Sequence, residues 1–211
     1  MAKATFDLDE LERALSLYRA RSRRPRWRWV RNIGLFLIGM AVPIVVCSTT
    51  VMRCFRVVSP GMAPTLKPGD TVLVLTSVYD GRALPRTGQV VLFRKPPQAT
   101  DEHLLYVKRV VGLPGDGVQV KEGKLLRNDR VVAEPYLPEP PTYEWQVDPC
   151  PPNHIIVLGD NRHRSQDSHS WTAPGQESRG EPAPYLAADH LEGRVYARIW
   201  PLSRIGTIRA P

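Results

Sequence analysis

A lysine stands inside an apolar run, Leu104-Leu-Tyr-Val-Lys108-Arg-Val-Val111, with Tyr106, Val107, Val110 and Val111 around it. Burial among such neighbours disfavours an ammonium, and an amine that has shed its proton can take one from a serine hydroxyl, otherwise a poor nucleophile. Two further segments carry serines. One is Ser59-Pro60-Gly61-Met62-Ala63-Pro64-Thr65-Leu66-Lys67-Pro68-Gly69-Asp70; the other is Gly159-Asp160-Asn161-Arg162-His163-Arg164-Ser165-Gln166-Asp167-Ser168. Asp160, His163, Asp167 and His169 have metal-binding side chains, but their spacing matches no common ligand pattern, so no metal and no other cofactor is expected.

In this order, with Lys108-Arg-Val-Val-Gly-Leu-Pro-Gly-Asp116 as the middle box and an apolar run in front, the segments resemble the boxes of type I signal peptidases. These are membrane-bound Ser/Lys proteases that remove signal peptides from exported proteins. The resemblance covers about Val57 to Ile205. Pro-Gly-Asp turns are common, so each box alone is weak. The Lys-Arg-Val-Val-Gly-Leu-Pro-Gly-Asp run followed by Gly-Asp-Asn-Arg-x-x-Ser-x-Asp-Ser is highly specific. The resemblance implies Lys108 as general base, Ser165 hydrogen-bonded near it, and Asp167 supporting the pair. It also implies a cleft where the substrate adds as a strand and apolar pockets select small residues.

The first box departs from the pattern Ser-x-Ser-Met-x-Pro-Thr-Leu. The serine before the methionine is the family's nucleophile, and Gly61 stands there. Ser59 keeps the earlier serine, which by resemblance donates to an oxyanion hole beside the Gly61 N–H. Ser59 as a substitute nucleophile would attack from a displaced position, and an ångström of displacement costs about a hundredfold in rate. His169 also replaces the arginine usual after Asp-Ser, exchanging a permanent charge for one present only at lower pH.

These residues need a scaffold, and the patterning beyond Arg53 is that of a mainly β domain without a Rossmann-like unit. Apolar, β-branched runs recur at Thr71–Leu75, Val90–Phe93, Leu104–Val111, Val118–Val120, Lys124–Leu126, Arg130–Ala133, His154–Leu158 and Arg194–Trp200. Glu122-Gly123 and Asn128-Asp129 fall between neighbouring runs at hairpin spacing. Residues 171–188 and 135–152 read as long loops. No collagen repeat is present, three cysteines are too few for a disulfide scaffold, and 42% hydrophobic residues argue against full disorder. For Cys54 and Cys150, a bridge and two unpaired thiols both stay open.

The net charge of +8 could signal nucleic-acid binding, but five of those charges come from residues 1–31, with nine Lys/Arg against four acids. Twenty-one uncharged residues follow, Asn32 to Met52. As a helix they would reach about 31 Å, enough for a bilayer core. The expected organisation is therefore a basic cytoplasmic leader at 1–31, a single transmembrane helix at 32–52 acting as an uncleaved anchor, and a signal-peptidase-like extracytoplasmic β-domain at 57–205. Trp27 and Trp29 fall at the inner boundary. A short amphipathic helix is expected at 7–18, with Asp7 and Glu10 at capping-box spacing.

The function expected is a signal peptidase I family protein of the plasma (inner) membrane, removing or binding signal peptides of exported preproteins at the outer surface, with its serine endopeptidase chemistry impaired by Gly61. The alternative is an inactive pseudoprotease serving as a binding or regulatory subunit beside an active paralogue. Expected partners are signal peptides and the lipid bilayer, with no nucleic acid.

Overall fold

The computed structural model describes residues 9, 12–13, 15–17, 25–76, 78–79, 83–97, 99, 102–172 and 184–210. Most of the expected helix at 7–18 and the centre of the expected loop at 171–188 lie outside the described residues. The chain forms two compact units, Met1–Ser48 and Thr49–Pro211.

The first unit contains most of α1 (Pro25–Val51), a 27-residue helix. It begins seven residues before the expected span, at a proline, which is suited to the first helical turn because its missing N–H has no intrahelical partner there. Leu35, Phe36, Leu37 and Ile38 are exposed, as are Trp27 and Trp29. Among the described residues, no helix is long and apolar enough to cross a membrane. The side chains at 42–50 lie outside the description.

The second unit is built from strands. β1 (Met52–Arg56), β2 (Thr71–Leu75), β3 (Val90–Arg94), β4 (Leu105–Gly112), β9 (His154–Leu158), β10 (Leu186–Ala187), β11 (Leu191–Trp200) and β12 (Gly206–Thr207) form one sheet. Its order is β1-β2-β11-β3-β4-β9-β10, with β12 on β11, and every pairing is antiparallel. A second sheet of β5 (Val118–Lys121), β6 (Lys124–Arg127), β7 (Arg130–Val131) and β8 (Trp145–Val147) has the order β7-β6-β5-β8. The turns between β5 and β6 and between β6 and β7 are the two expected from sequence. Glu122, Gly123, Asn128 and Asp129 all have positive φ, the conformation that lets a two-residue turn follow the strand twist.

The larger sheet is covered on both faces, which explains why β3 and β4 read as continuous apolar runs. In β3, Val90 and Leu92 join one core cluster while Val91 and Phe93 join another. β8 and β10 correct the two expected loops. Each places two or three residues in a sheet within segments whose prolines and brevity conceal any alternation.

Candidate active site

The sheet register brings the boxes together. Lys108 sits in β4 opposite Val91 of β3, and on the other side Arg109 pairs with Leu158, the last residue of β9. Continuing that register carries the chain leaving β9 past Lys108 at Gly159. The third box therefore meets the second as a consequence of strand pairing.

A buried ion pair fastens this junction. Arg109 donates through Nε to Asp160 Oδ1 at 2.8 Å and through Nη2 to Oδ2 at 2.6 Å, with both side chains almost wholly buried. Its remaining Nη1 donates to the Gly88 carbonyl, and the guanidinium lies 3.9 Å over the Tyr136 ring. Burial, then the neighbouring Glu134 carboxylate, pushes the Tyr136 hydroxyl pKa up, so it remains a donor, here to Glu134 Oε1. Glu134 also pairs with the buried guanidinium of Arg162. The segment around residues 134–136 thus holds both arginines.

The first box is tied to the same point. Thr65 Oγ1 donates to Asp160 Oδ2 at 2.6 Å, and the Asn161 N–H donates to the Gly61 carbonyl at 3.0 Å. Residues 60–62 form a short 3-10 turn capped by Ser59, whose Oγ accepts the Gly61 N–H at 3.3 Å. The expected arrangement had this hydroxyl and this N–H both facing an oxyanion. In the structure the Gly61 N–H donates to the Ser59 oxygen, because the first N–H groups of a helical turn need an acceptor, and the Ser59 O–H keeps its own proton to donate.

Lys108 is 3% exposed and donates from Nζ to Ser165 Oγ at 2.8 Å. Gly61 lies against the same amine: a Cβ built there would fall 2.7 Å from Lys108 Nζ and 3.3 Å from the Arg164 carbonyl. These residues line a cavity of about 310 Å³, with Phe55, Val57 and Leu105 on its apolar side. Ser59 lines it as well. Of the site residues expected from sequence, Lys108, Gly61, Ser59 and Ser165 come together.

The chain matches the family described as signal peptidase, peptidase S26, over residues 26–200. It belongs to that family. A signal peptidase I of Leptolyngbya laminosa is 33% identical over 184 residues, covering 84% of each chain. A probable signal peptidase I-2 of Synechocystis sp. is 30% identical over 186 residues, covering 87% of this chain and 79% of that one. A probable chloroplastic thylakoidal processing peptidase 2 of Arabidopsis thaliana is 36% identical over 154 residues, covering 71% of this chain and 38% of that one.

Within this signal peptidase family member, Asp167 is buried and bonds to backbone on either side of Ser165. Its carboxylate accepts the Gly159 N–H at 2.8 Å and the His169 N–H at 3.2 Å, so it shapes the loop that presents Ser165. His169 stacks on Tyr143, with ring centroids 3.7 Å apart, and meets the edge of Trp145. Burial is the leading cause that lowers its pKa, so it behaves as a neutral aromatic ring rather than a substitute for an arginine charge.

Sequence reasoning assigned no role to Gly159, Asp160, Asn161, Thr65 or Arg109. A Cβ on Gly159 would clash with Ser165 Oγ and the Gly61 carbonyl, so only glycine lets the first and third boxes close up. The available signal was an Arg directly after the lysine within β4 and an Asp directly after the glycine that follows β9.

Proposed function

We propose that this family member binds signal peptides of exported preproteins in the cleft between β4 and the 59–62 turn, without cutting them through residue 61. Gly61 is the observation that carries the proposal. It stands beside the buried amine of Lys108 and has no atom with which to attack a carbonyl or become acylated. The surrounding scaffold is intact: the Arg109–Asp160 pair, the Asn161 bond to Gly61 and the apolar wall support retained binding geometry. In this proposal the site serves a binding or regulatory role beside an active paralogue.

Residues of α1 serve as the membrane anchor in this proposal. The exposed apolar side chains at Ile33 and Leu35–Ile38 and the arginine-rich leader support a single span, with the N-terminus cytoplasmic and the β-domain outside. The test is co-isolation of an intact preprotein with the purified full chain. Stable capture without mature product supports binding, and failure to retain any preprotein at micromolar concentrations overturns it.

A second reading rests on the 2.8 Å bond from Lys108 Nζ to Ser165 Oγ, which leaves one hydroxyl in contact with the amine. In that reading the chain is a hydrolase acting through a displaced serine. A serine-directed acylating probe, with the label mapped by mass spectrometry, decides it: label on Ser165 or Ser59 favours the hydrolase, and an unlabelled chain rejects it.

A further inference from the structure

A second groove of about 700 Å³ shares no lining residue with the cavity beside Lys108. It runs between the 64–67 segment, the 135–137 segment, and β12 with the residues that follow it. Pro64, Pro135, Leu137 and Ile208 give it apolar walls. Its charge is one-sided. Lys67, Arg109, Arg198, Arg204 and Arg209 line it, and among the described residues of the lining there is no aspartate or glutamate.

The nearby carboxylates are buried and already engaged. Asp160 is bonded to Arg109, and the single carboxylate of Asp70 serves two guanidiniums, Arg204 at 2.9 Å and Arg198 at 3.8 Å. Lys67 and Arg209 are exposed. Five cations therefore face two carboxylates. Two of the five are also held in place: Arg198 Nη1 donates to the Thr65 carbonyl at 2.6 Å, and Arg204 Nη2 donates to the Pro64 carbonyl at 3.2 Å. Positive charge fixed in this way meets an anion without first having to be ordered.

The backbone beside these cations is open. β2 pairs with β11 from Arg194 to Trp200, so β3 and β12 share the other edge of β11, with β12 placed beyond the end of β3. β12 is exposed, and β11 is its one described strand partner. Ile208 donates its N–H to the Tyr196 carbonyl, and backbone groups alternate along an extended chain, so those of Thr207 and Arg209 point away from β11. Both residues line the groove.

We propose that this groove binds an extended acidic segment of a partner protein, which adds to the open edge of β12 and sets carboxylates against Lys67, Arg204 and Arg209. Such an edge offers donors and acceptors at strand spacing, which a peptide backbone matches and a phosphate group does not. The proposal goes beyond signal-peptide binding and stands independently of it. Thr65 lines the groove and bonds Asp160, so the ligand abuts the scaffold that joins the first and third boxes.

The experiment titrates the full chain, in detergent, into a short fluorescent peptide of alternating glutamate and threonine. Micromolar binding that weakens with added salt is expected, and a lysine–threonine peptide should not bind. Lys67→Glu combined with Arg209→Glu, with folding checked by melting temperature, should weaken binding about tenfold or more. Unchanged binding by that double variant puts the peptide on another basic surface, such as the leader, and overturns the proposal. An acidic peptide N-methylated at alternate residues along its pairing edge should bind poorly, and equal binding overturns strand addition. Displacement by a saturating signal peptide also overturns the proposal, because groove and cleft are separate. So does an acidic peptide that fails to bind while phosphatidylglycerol vesicles bind through Lys67 and Arg209, an outcome that makes the groove a lipid site.

Discussion

Nζ of Lys108 lies 2.7 Å from the point where a side chain at Gly61 would begin. That is closer than real Cβ atoms come to a neighbour, so the amine has settled partly into the space a serine would require. It is held there by its bond to Ser165 Oγ. Because Nζ is the far end of a flexible chain, it can withdraw when residue 61 gains a side chain. Lys108 and the scaffold around it are thus arranged with no side chain at residue 61.

Gly159→Ala should be destabilising, by about 1–3 kcal/mol as for an overpacked interior. The new methyl would meet the Gly61 carbonyl, a backbone atom that cannot swing away, as well as Ser165 Oγ. Chemical denaturation measures the cost, and peptide binding should weaken in the same variant. Unchanged stability and binding would mean that the first and third boxes do not close on Gly159.

Asp160→Ala leaves the buried Arg109 guanidinium without its carboxylate and frees Thr65. Removing one partner of a buried pair costs about 3–5 kcal/mol. Urea unfolding should show a loss of that size. Replacing both members with apolar residues, as in Arg109→Met with Asp160→Leu, should recover a large part of it.

His169 gives the stability a pH dependence. Its pKa is lowered in the folded protein, chiefly by burial, so the unfolded chain takes up its proton first as pH falls. Its contribution is intact above the unfolded value of about 6.5 and is lost as pH drops from there toward the folded value. Between pH 7 and pH 5 the melting temperature should fall more for the unsubstituted protein than for His169→Phe, which keeps the stack on Tyr143. Parallel pH curves would remove His169 as a cause.

The two cysteines of the β-unit should differ in reactivity. Cys54 is exposed, whereas Cys150 is buried and its thiol is pushed up to about 12, by burial first and by Asp116 second. An alkylating reagent followed by peptide mapping should modify Cys54 in the native protein and Cys150 only after denaturation. A recovered Cys54–Cys150 bridge would contradict the free thiols of the structure.

Much of this architecture is visible in the amino-acid pattern. β2 and β9 coincide with the apolar runs that announce them, and the turns at Glu122-Gly123 and Asn128-Asp129 take the positive φ their residue types favour. β1 was hidden because it starts at Met52, at the end of an uncharged run, and is an exposed edge strand carrying Arg53 and Arg56. β8 is three residues in a proline-rich stretch, too short for alternation to show. The residues of the candidate site that meet at the cavity, Ser59, Gly61, Lys108 and Ser165, stand in the sequence as types at recognisable spacing. What spacing could not disclose is that Ser59 accepts the Gly61 N–H, that Asp167 accepts the Gly159 N–H, and that Arg109 and Asp160 join the boxes. Each of these depends on which way a side chain turns once the strands have paired.

Single-turnover cleavage of a preprotein by the full chain and its Gly61→Ser variant tests the central claim most directly. The unsubstituted protein should yield no mature product. Gly61→Ser should yield product at a rate that disappears when Lys108→Ala is added, while Gly61→Ala, which displaces the amine without supplying a hydroxyl, should remain inactive. Cleavage by the unsubstituted protein that survives both Ser59→Ala and Ser165→Ala would contradict the account, because a site without a nucleophile at residue 61 would then be cutting peptides by a route these residues do not provide.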